Sequence, residues 1–347
     1  MEKSQKKKGK ISSGMPQQAR FFDYVRKVAP KHVVIAEEVA DALSVSLDSA
    51  YRRLRCQTAL SIDETLTLCK RFRISPDVLA DKNTGLVSFS YKSLGHQEIN
   101  LNGYLESVLR DLKTISSFHE IQFFFAAEDV PLFHHLDFEW LTPFKFFYWK
   151  KSILNDPQLD GKSFSPELIE PETLELAKEI SNAYLAIPTI EIWTEETMAS
   201  SLSQIVYYWE SGLFANQEAA LGVCSDVRKM AERLQHQATF GQKRPLNGDE
   251  GGVYPEFQLY SCEVQIGNNS IFVQGDRLKI SLLSFNTFNS LMTINLGYCL
   301  ENERWIQNLI RKSTLISRVS EKQRFQFFQR VYKMISDVED RIRKDQD

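Results

Sequence analysis

Residues 34–55 read VIAEEVADALSVSLDSAYRRLR, and their pattern is that of two short amphipathic helices joined by a sharp turn. In the first, Ile35, Val39, Ala42 and Leu43 recur at helical spacing on one apolar side, with Glu37, Glu38 and Asp41 turned away. Ser44-Val45 interrupts the pattern, and Ser46 stands where a cap for a second helix is needed. In that helix Leu47, Ala50, Tyr51 and Leu54 share a side predicted to face inward, leaving Asp48, Ser49, Arg52, Arg53 and Arg55 outside. A short helix buttressed on its apolar side and carrying three guanidiniums on the other suits the major groove of double-stranded DNA.

Ala40 at the small position of the first helix, Ser44 and Val45 at the turn, Ala50 at the buried position of the second helix and Leu54 after it give the stretch a family likeness. It resembles the helix-turn-helix of the XRE (phage-repressor-like) family of bacterial transcriptional regulators. The likeness extends to supporting helices over about residues 18–80, under a quarter of the chain, and departs from the family at Ser44, where most members have Gly. The resemblance implies that the second helix is the DNA reader.

The flanks read as support for this pair. Gln18 to Ala29 form a helix with Phe21, Phe22, Val25 and Val28 on its apolar side, ended by Pro30. Ser61 to Phe72 form another, opened by a Ser61-x-x-Glu64 capping box and lined inward by Ile62, Leu66, Cys69 and Phe72. Ser75-Pro76-Asp77 starts a last short helix ending near Asp81. The expected layout is a disordered basic tail over 1–14, a five-helix DNA-binding domain over 15–81, a linker with a short strand over 82–96, and an α+β effector or dimerisation domain over 97–347.

Within the linker Val87, Phe89 and Tyr91 alternate with polar residues, as in a half-exposed strand. Leu101, Leu105, Val108, Leu112 and Ile115 then repeat over two heptads, which fits either a core-facing helix or a dimerisation seam. IQFFFAA at 121–127 reads as a buried strand, and 130–154 is unusually aromatic, fitting core or the lining of an apolar pocket. Helices are predicted at about 171–187, 195–211 and 216–238, followed by a flexible loop from Thr239 to Gly252. Alternation through Tyr260, Cys262, Val264 and Ile266, then Ile271 to Val273, then Leu278 to Leu282, predicts a three-stranded antiparallel meander. Two helices, roughly 297–313 and 320–343, close a chain that reads as multidomain and mostly α, with a smaller antiparallel β component.

The formal charge of −3 conceals an asymmetry: residues 1–80 hold 15 basic and 9 acidic side chains, a net of +6, while the remainder holds 27 and 36, a net of −9. A basic head on an acidic body suits DNA binding by the head alone. No run of about 18 apolar residues occurs, so no membrane partner is expected. Cys56, Cys69, Cys224, Cys262 and Cys299 form no C-x-x-C pair, which favours reduced thiols in a cytoplasmic protein over disulfides or zinc.

The predicted DNA-binding residues are Ser46, Asp48, Ser49, Arg52, Arg53, Arg55 and Gln57, with Arg52 and Arg53 as anchors, since a guanidinium bridges guanine O6 and N7 or clamps phosphate. Ser46 caps the helix and can also donate to phosphate, and Asp48 and Ser49 lie at the end where base edges are read. Arg55 and Gln57 follow the helix, where backbone contacts are common. No phosphate-binding, dinucleotide, zincin or nucleophile-elbow motif is present, so neither an enzyme nor a cofactor is expected. His134-His135, near Glu128, Asp129, Asp137 and Glu139, is the nearest approach to a metal cluster, but adjacent histidines do not ordinarily converge on one ion. The expected protein is a homodimeric DNA-binding transcriptional regulator whose body dimerises or senses a small-molecule or protein effector. The alternative is a protein- or ligand-binding adaptor with the helical head as an interaction module.

Overall fold

The computed structural model describes residues 16–29, 33–72, 74, 76, 85–92, 101–245, 252–276 and 278–344. The basic tail 1–14, the short helix expected from Ser75 to Asp81 (Pro76 apart), residues 82–84 and 93–96 of the linker, and residues 246–251 of the expected loop lie outside them. Among the described residues the chain is mixed α/β, with eleven α-helices and one eight-stranded sheet. It divides into two compact units, Met1–Ser90 and Tyr91–Asp347.

The first unit contains α1 (Pro16–Val28), α2 (Ile35–Leu43), α3 (Leu47–Leu54) and α4 (Ile62–Phe72), each within two residues of its expected bounds. Their common core is Phe21, Phe22, Val25, Val39, Ala50, Leu68, Cys69 and Ile74. Two inner faces differ from expectation. On α3 only Ala50 is buried, and Leu47 and Tyr51 are 45% and 40% exposed. On α4 the buried residues are Leu68 and Cys69, while Ile62 is 79% exposed and Leu66 41%. In helices this short, hydrophobic spacing alone does not fix the rotation, because three or four apolar residues span too wide an arc.

In the second unit the sheet runs β1-β7-β6-β5-β2-β3-β4-β8, from β1 (Ser90–Tyr91) at the unit boundary through β2 (Gln122–Ala127), β3 (Thr189–Trp193), β4 (Phe257–Ser261), β5 (Ser270–Gln274), β6 (Lys279–Phe285), β7 (Asn289–Thr293) and β8 (Thr314–Leu315). The antiparallel expectation holds for β5 and β6, to which an unpredicted antiparallel β7 is added, but not for the centre, where β2, β3 and β4 are parallel. Parallel neighbours need long crossovers, and helices supply them. α6 (Leu141–Tyr148) and α7 (Pro171–Leu185) lie between β2 and β3; α8 (Ala199–Glu210) and α9 (Gln217–Phe240) lie between β3 and β4. β4 therefore stands outside the meander, separated from β5 by β2 and β3. The alternation that placed it there continues through Cys262 and Ile266, which are buried in an irregular segment rather than a strand.

Side chains alternate between two cores. Phe123, Phe125 and Ala127 of β2 face the larger one, with the remaining helices; Phe124 and Ala126 face a smaller one closed by α10 (Leu296–Arg311) through Cys299, Ile306 and Leu309. The aromatic segment is core: Phe144, Phe146 and Phe147 are fully buried, and Phe144 stacks on Phe214. The heptad seam belongs to α5 (Leu101–Ser116), and Leu101, Leu105 and Leu112 are buried in the same core against α7, so the seam is occupied within the chain. The loop after α9 is anchored where it was expected to be flexible, since Lys243 is buried and Gln242 bridges Glu256.

Two polar devices organise this core. Trp140, at the start of α6, brings no cap of its own; Asp226 of α9, nearly inaccessible, accepts from the Trp140 and Leu141 backbone N–H groups. One turn earlier, Gly222 lets the helix approach the Trp140 indole, which a Cβ there would meet at 2.5 Å. The second device is Glu191, at the middle of β3 with 0% exposure. His134 Nε2 donates to its carboxylate at 2.9 and 3.0 Å, Trp193 Nε1 at 2.9 Å, and the Tyr184 hydroxyl also donates. Burial alone would raise the Glu191 carboxyl; His134, Tyr184 and the nearby Lys243 outweigh it and hold it below the usual range. Removing the hub in Glu191→Ala strands three buried donors, and we expect a loss of about 3–5 kcal/mol in urea unfolding of the full chain. A loss under about 1 kcal/mol would mean the network contributes little to the fold.

Candidate nucleic-acid interface

The head's geometry follows from how α3 is held. The turn from α2 passes through Ser44 in the left-handed region (φ 52°, ψ 46°), where Gly is the usual occupant. Val45 N donates to Ala40 O at 3.0 Å, so the turn closes on α2's last carbonyls and the serine is accommodated. Ser46 is extended and its hydroxyl accepts from Ser49 N at 3.3 Å, capping α3 as expected. Ala50 then packs among Val39, Leu68 and Phe22 in the head core.

Arg53 faces inward. Its guanidinium donates to Glu64 at 2.6 Å and to Ser49 O at 3.3 Å, with 15% of its side chain exposed and Nε buried without a partner. Glu64 is the capping-box residue of α4: its second oxygen accepts from Ser61 N at 3.0 Å while its own N–H donates to Ser61 Oγ. The Arg53 hydrogen bond holds the Glu64 carboxyl below its ordinary range. From α1, Gln18 Nε2 donates to Arg53 O and Thr58 O, each at 2.9 Å, and Gln18 Oε1 accepts from Leu60 N. Arg53 is thus the strut between α3 and α4. Of the seven residues expected to meet DNA, it is the one the structure turns away.

The others lie on the outer side. Leu47, Asp48, Tyr51, Arg52 and Arg55 are exposed, and at about 100° per residue they make one continuous arc of about 140°. Ser46 and Gln57 are exposed at its two ends, and Ser49 is half-buried at its flank. Gln57 follows a left-handed Cys56 and closes α3 by donating to Arg52 O at 2.8 Å. The Arg55 guanidinium sits 5.7 Å from the Tyr51 ring centre. Beside the arc, a groove of about 400 Å³ is lined by Arg26, Val34, Ile35, Tyr51, Leu54 and Arg55. Hence the arc mixes two guanidiniums, one carboxylate, one aliphatic side chain and one phenol.

The second unit contains the polar clusters that the sequence left unassigned. His134 and His135 are split between networks: His134 binds Glu191, and His135 Nε2 lies 3.0 Å from Ser201 Oγ. Among the described residues no group of three or more His, Cys, Asp or Glu side chains is placed to hold a metal. Lys145, within the aromatic run of α6, is buried and donates to Ser201 Oγ at 2.9 Å and Gln204 Oε1 at 2.8 Å, with no carboxylate paired to it among the described residues. Burial pushes its ammonium down to about 7. Burial, then Lys145, keep the His135 ring well below its ordinary value, and its Nδ1 is buried without a partner. A charge inside an aromatic run (Lys145) and a charge inside an apolar strand (Glu191) were the sequence signals for these buried polar groups.

No family model, curated protein or solved structure matches this chain. No helix among the described residues is long and apolar enough to cross a membrane.

Lys145 gives a pH signature. From about pH 7 to the unfolded lysine value of about 10.4, the unfolded chain holds a proton that the folded chain lacks, so stability rises with pH across that window. Below it both states are protonated and the destabilisation is complete. Lys145→Met should show a shallower rise than the parent between about pH 7 and pH 9 in urea unfolding, which separates Lys145 from Lys243. Identical pH dependences would contradict the assignment.

Proposed function

We propose that the head is a sequence-specific DNA-binding module of a transcriptional regulator, with α3 lying in the major groove. The observation that carries this reading is the outer arc of α3: a capped helix, pinned on its inner side by Ala50 and Arg53, that leaves Asp48, Arg52 and Arg55 on one continuous exposed surface. Arg52 takes the guanine or phosphate contact, since its guanidinium has no ion pair among the described residues. Arg55, Ser46 and Gln57 bear on the sugar-phosphate backbone at the two ends of the helix, and Asp48 and Ser49 on base edges. The resemblance at Ala40, Ser44, Val45, Ala50 and Leu54 to XRE-family regulators supports the same reading, as does the net +6 of residues 1–80. The second unit serves dimerisation or effector sensing. A dimer follows from the small number of base pairs one such helix spans, and the surface for it is other than the buried seam of α5.

A protein-interaction role for the head is favoured by Ile62 and Leu66, exposed one turn apart on α4. Selection of duplexes from random DNA by the full chain separates the two readings. On a selected duplex, log K should fall linearly with log salt. An Arg52→Ala/Arg55→Ala double variant should bind more weakly, with a slope smaller by roughly 0.9 for each phosphate it no longer neutralises. Arg53→Ala should instead keep the slope while amide exchange in α3 and α4 quickens, reflecting a strut worth about 1–2 kcal/mol. Unimpaired binding by the double variant, with binding abolished in Arg53→Ala at unchanged exchange, would refute the assignment of these arginines.

A further inference from the structure

On α3, Leu47 and Tyr51 are the residues whose placement departs from the sequence pattern. Hydrophobic spacing puts them inside; the structure puts them out, at 45% and 40% exposure, one helical turn apart. They occupy one edge of the exposed arc, and Asp48 and Arg52 occupy the other, with Arg55 between. Leu47, at the first position of the reading helix, is not part of the head core among the described residues. Among the described residues that core holds Ala50, Val39, Leu68 and Phe22 but neither Leu47 nor Tyr51.

We infer that Leu47 and Tyr51 form a thymine-methyl reader, so that the DNA sites of this protein carry a thymine C5-methyl against the Leu47–Tyr51 edge, next to the guanine or phosphate bound by Arg52. The inference rests on the DNA-binding reading above and adds the base class. Of the groups that base pairs present in the major groove, the thymine methyl is the one apolar feature, and an aliphatic or aromatic edge is its chemical complement. The flanking charges argue for DNA over an apolar protein partner: Arg52 and Arg55 lie on the same arc, within reach of the polyanion that surrounds each methyl. The Arg55 guanidinium lies 5.7 Å from the Tyr51 ring centre, so the ring and a phosphate-seeking cation share this part of the arc. Arg53, drawn to Glu64, keeps the helix from rolling back to bury the two side chains.

The test alters the DNA, so that it does not depend on a variant's folding. The full chain selects duplexes from a random pool, and each thymine of the preferred site is then replaced in turn by uracil, which lacks only the methyl. At one or two thymines per half-site the affinity should drop about threefold to tenfold, as expected for one methyl removed from an apolar environment. In Leu47→Ala and Tyr51→Ala, both exposed positions, the same replacement should have no further effect. A selected site indifferent to uracil at every thymine would overturn the inference and leave the DNA-binding reading intact. Equal uracil sensitivity in parent and both variants would place methyl recognition elsewhere and overturn it too. Failure to select any duplex over random DNA would remove the DNA-binding reading, and the inference with it.

Discussion

The rotation of one eight-residue helix governs what the head can do, and it is set by Ala50 on one side and the Arg53–Glu64 pair on the other. Ala50 is small enough to bring α3 against the head core. Arg53 reaches across to a carboxylate that is already engaged in capping α4. The pair is more than a surface ion pair because Glu64 serves both elements: the oxygen that takes Arg53 and the oxygen that takes Ser61 N lie on one rigid carboxylate. Once α3 is clamped this way, its outer surface follows from the period of the helix. Leu47, Asp48, Tyr51, Arg52 and Arg55 are exposed around the arc, and they include residues of three chemical kinds.

The second unit solves a different problem with related means. Its parallel centre needs crossovers, and the ends of the crossover helices must be satisfied in a dry core. Asp226 caps α6 from a distance, Gly222 makes room for Trp140, and Glu191 gathers His134, Tyr184 and Trp193 from three elements onto one carboxylate. Lys145 and Ser201 tie α6 to α8 in the same manner, at the cost of a cation without a counter-ion among the described residues. Buried polar groups that are fully bonded favour one arrangement of the core over its competitors, since any other would leave them unmatched.

Much of this was legible in the sequence, and the exceptions have physical reasons. Helix bounds could be read where capping chemistry marks them: Ser46 before α3, Pro171 at the start of α7, Asn216 accepting from Ala219 N before α9. β3 escaped because its five residues, TIEIW, are broken at the centre by Glu191, a charge that only its three donors make tolerable. β4 was seen but misplaced, since alternation reports burial and not the identity of the neighbouring strand. The candidate interface was legible as a region but not residue by residue. Arg53 and Arg52 are equivalent as letters; the difference between them is one step of about 100° around the helix and the presence of Glu64 eleven residues later.

The most direct test of the head's proposed role is methylation interference at guanine N7, an atom that lies in the major groove. With the full chain bound to a selected duplex, interference should fall on guanines within each half-site and disappear for the contacted guanine in Arg52→Ala, while methylation of adenine N3 in the minor groove there has no effect. Interference confined to adenine N3, or guanine N7 methylation that leaves binding untouched throughout the site, would contradict an α3 seated in the major groove.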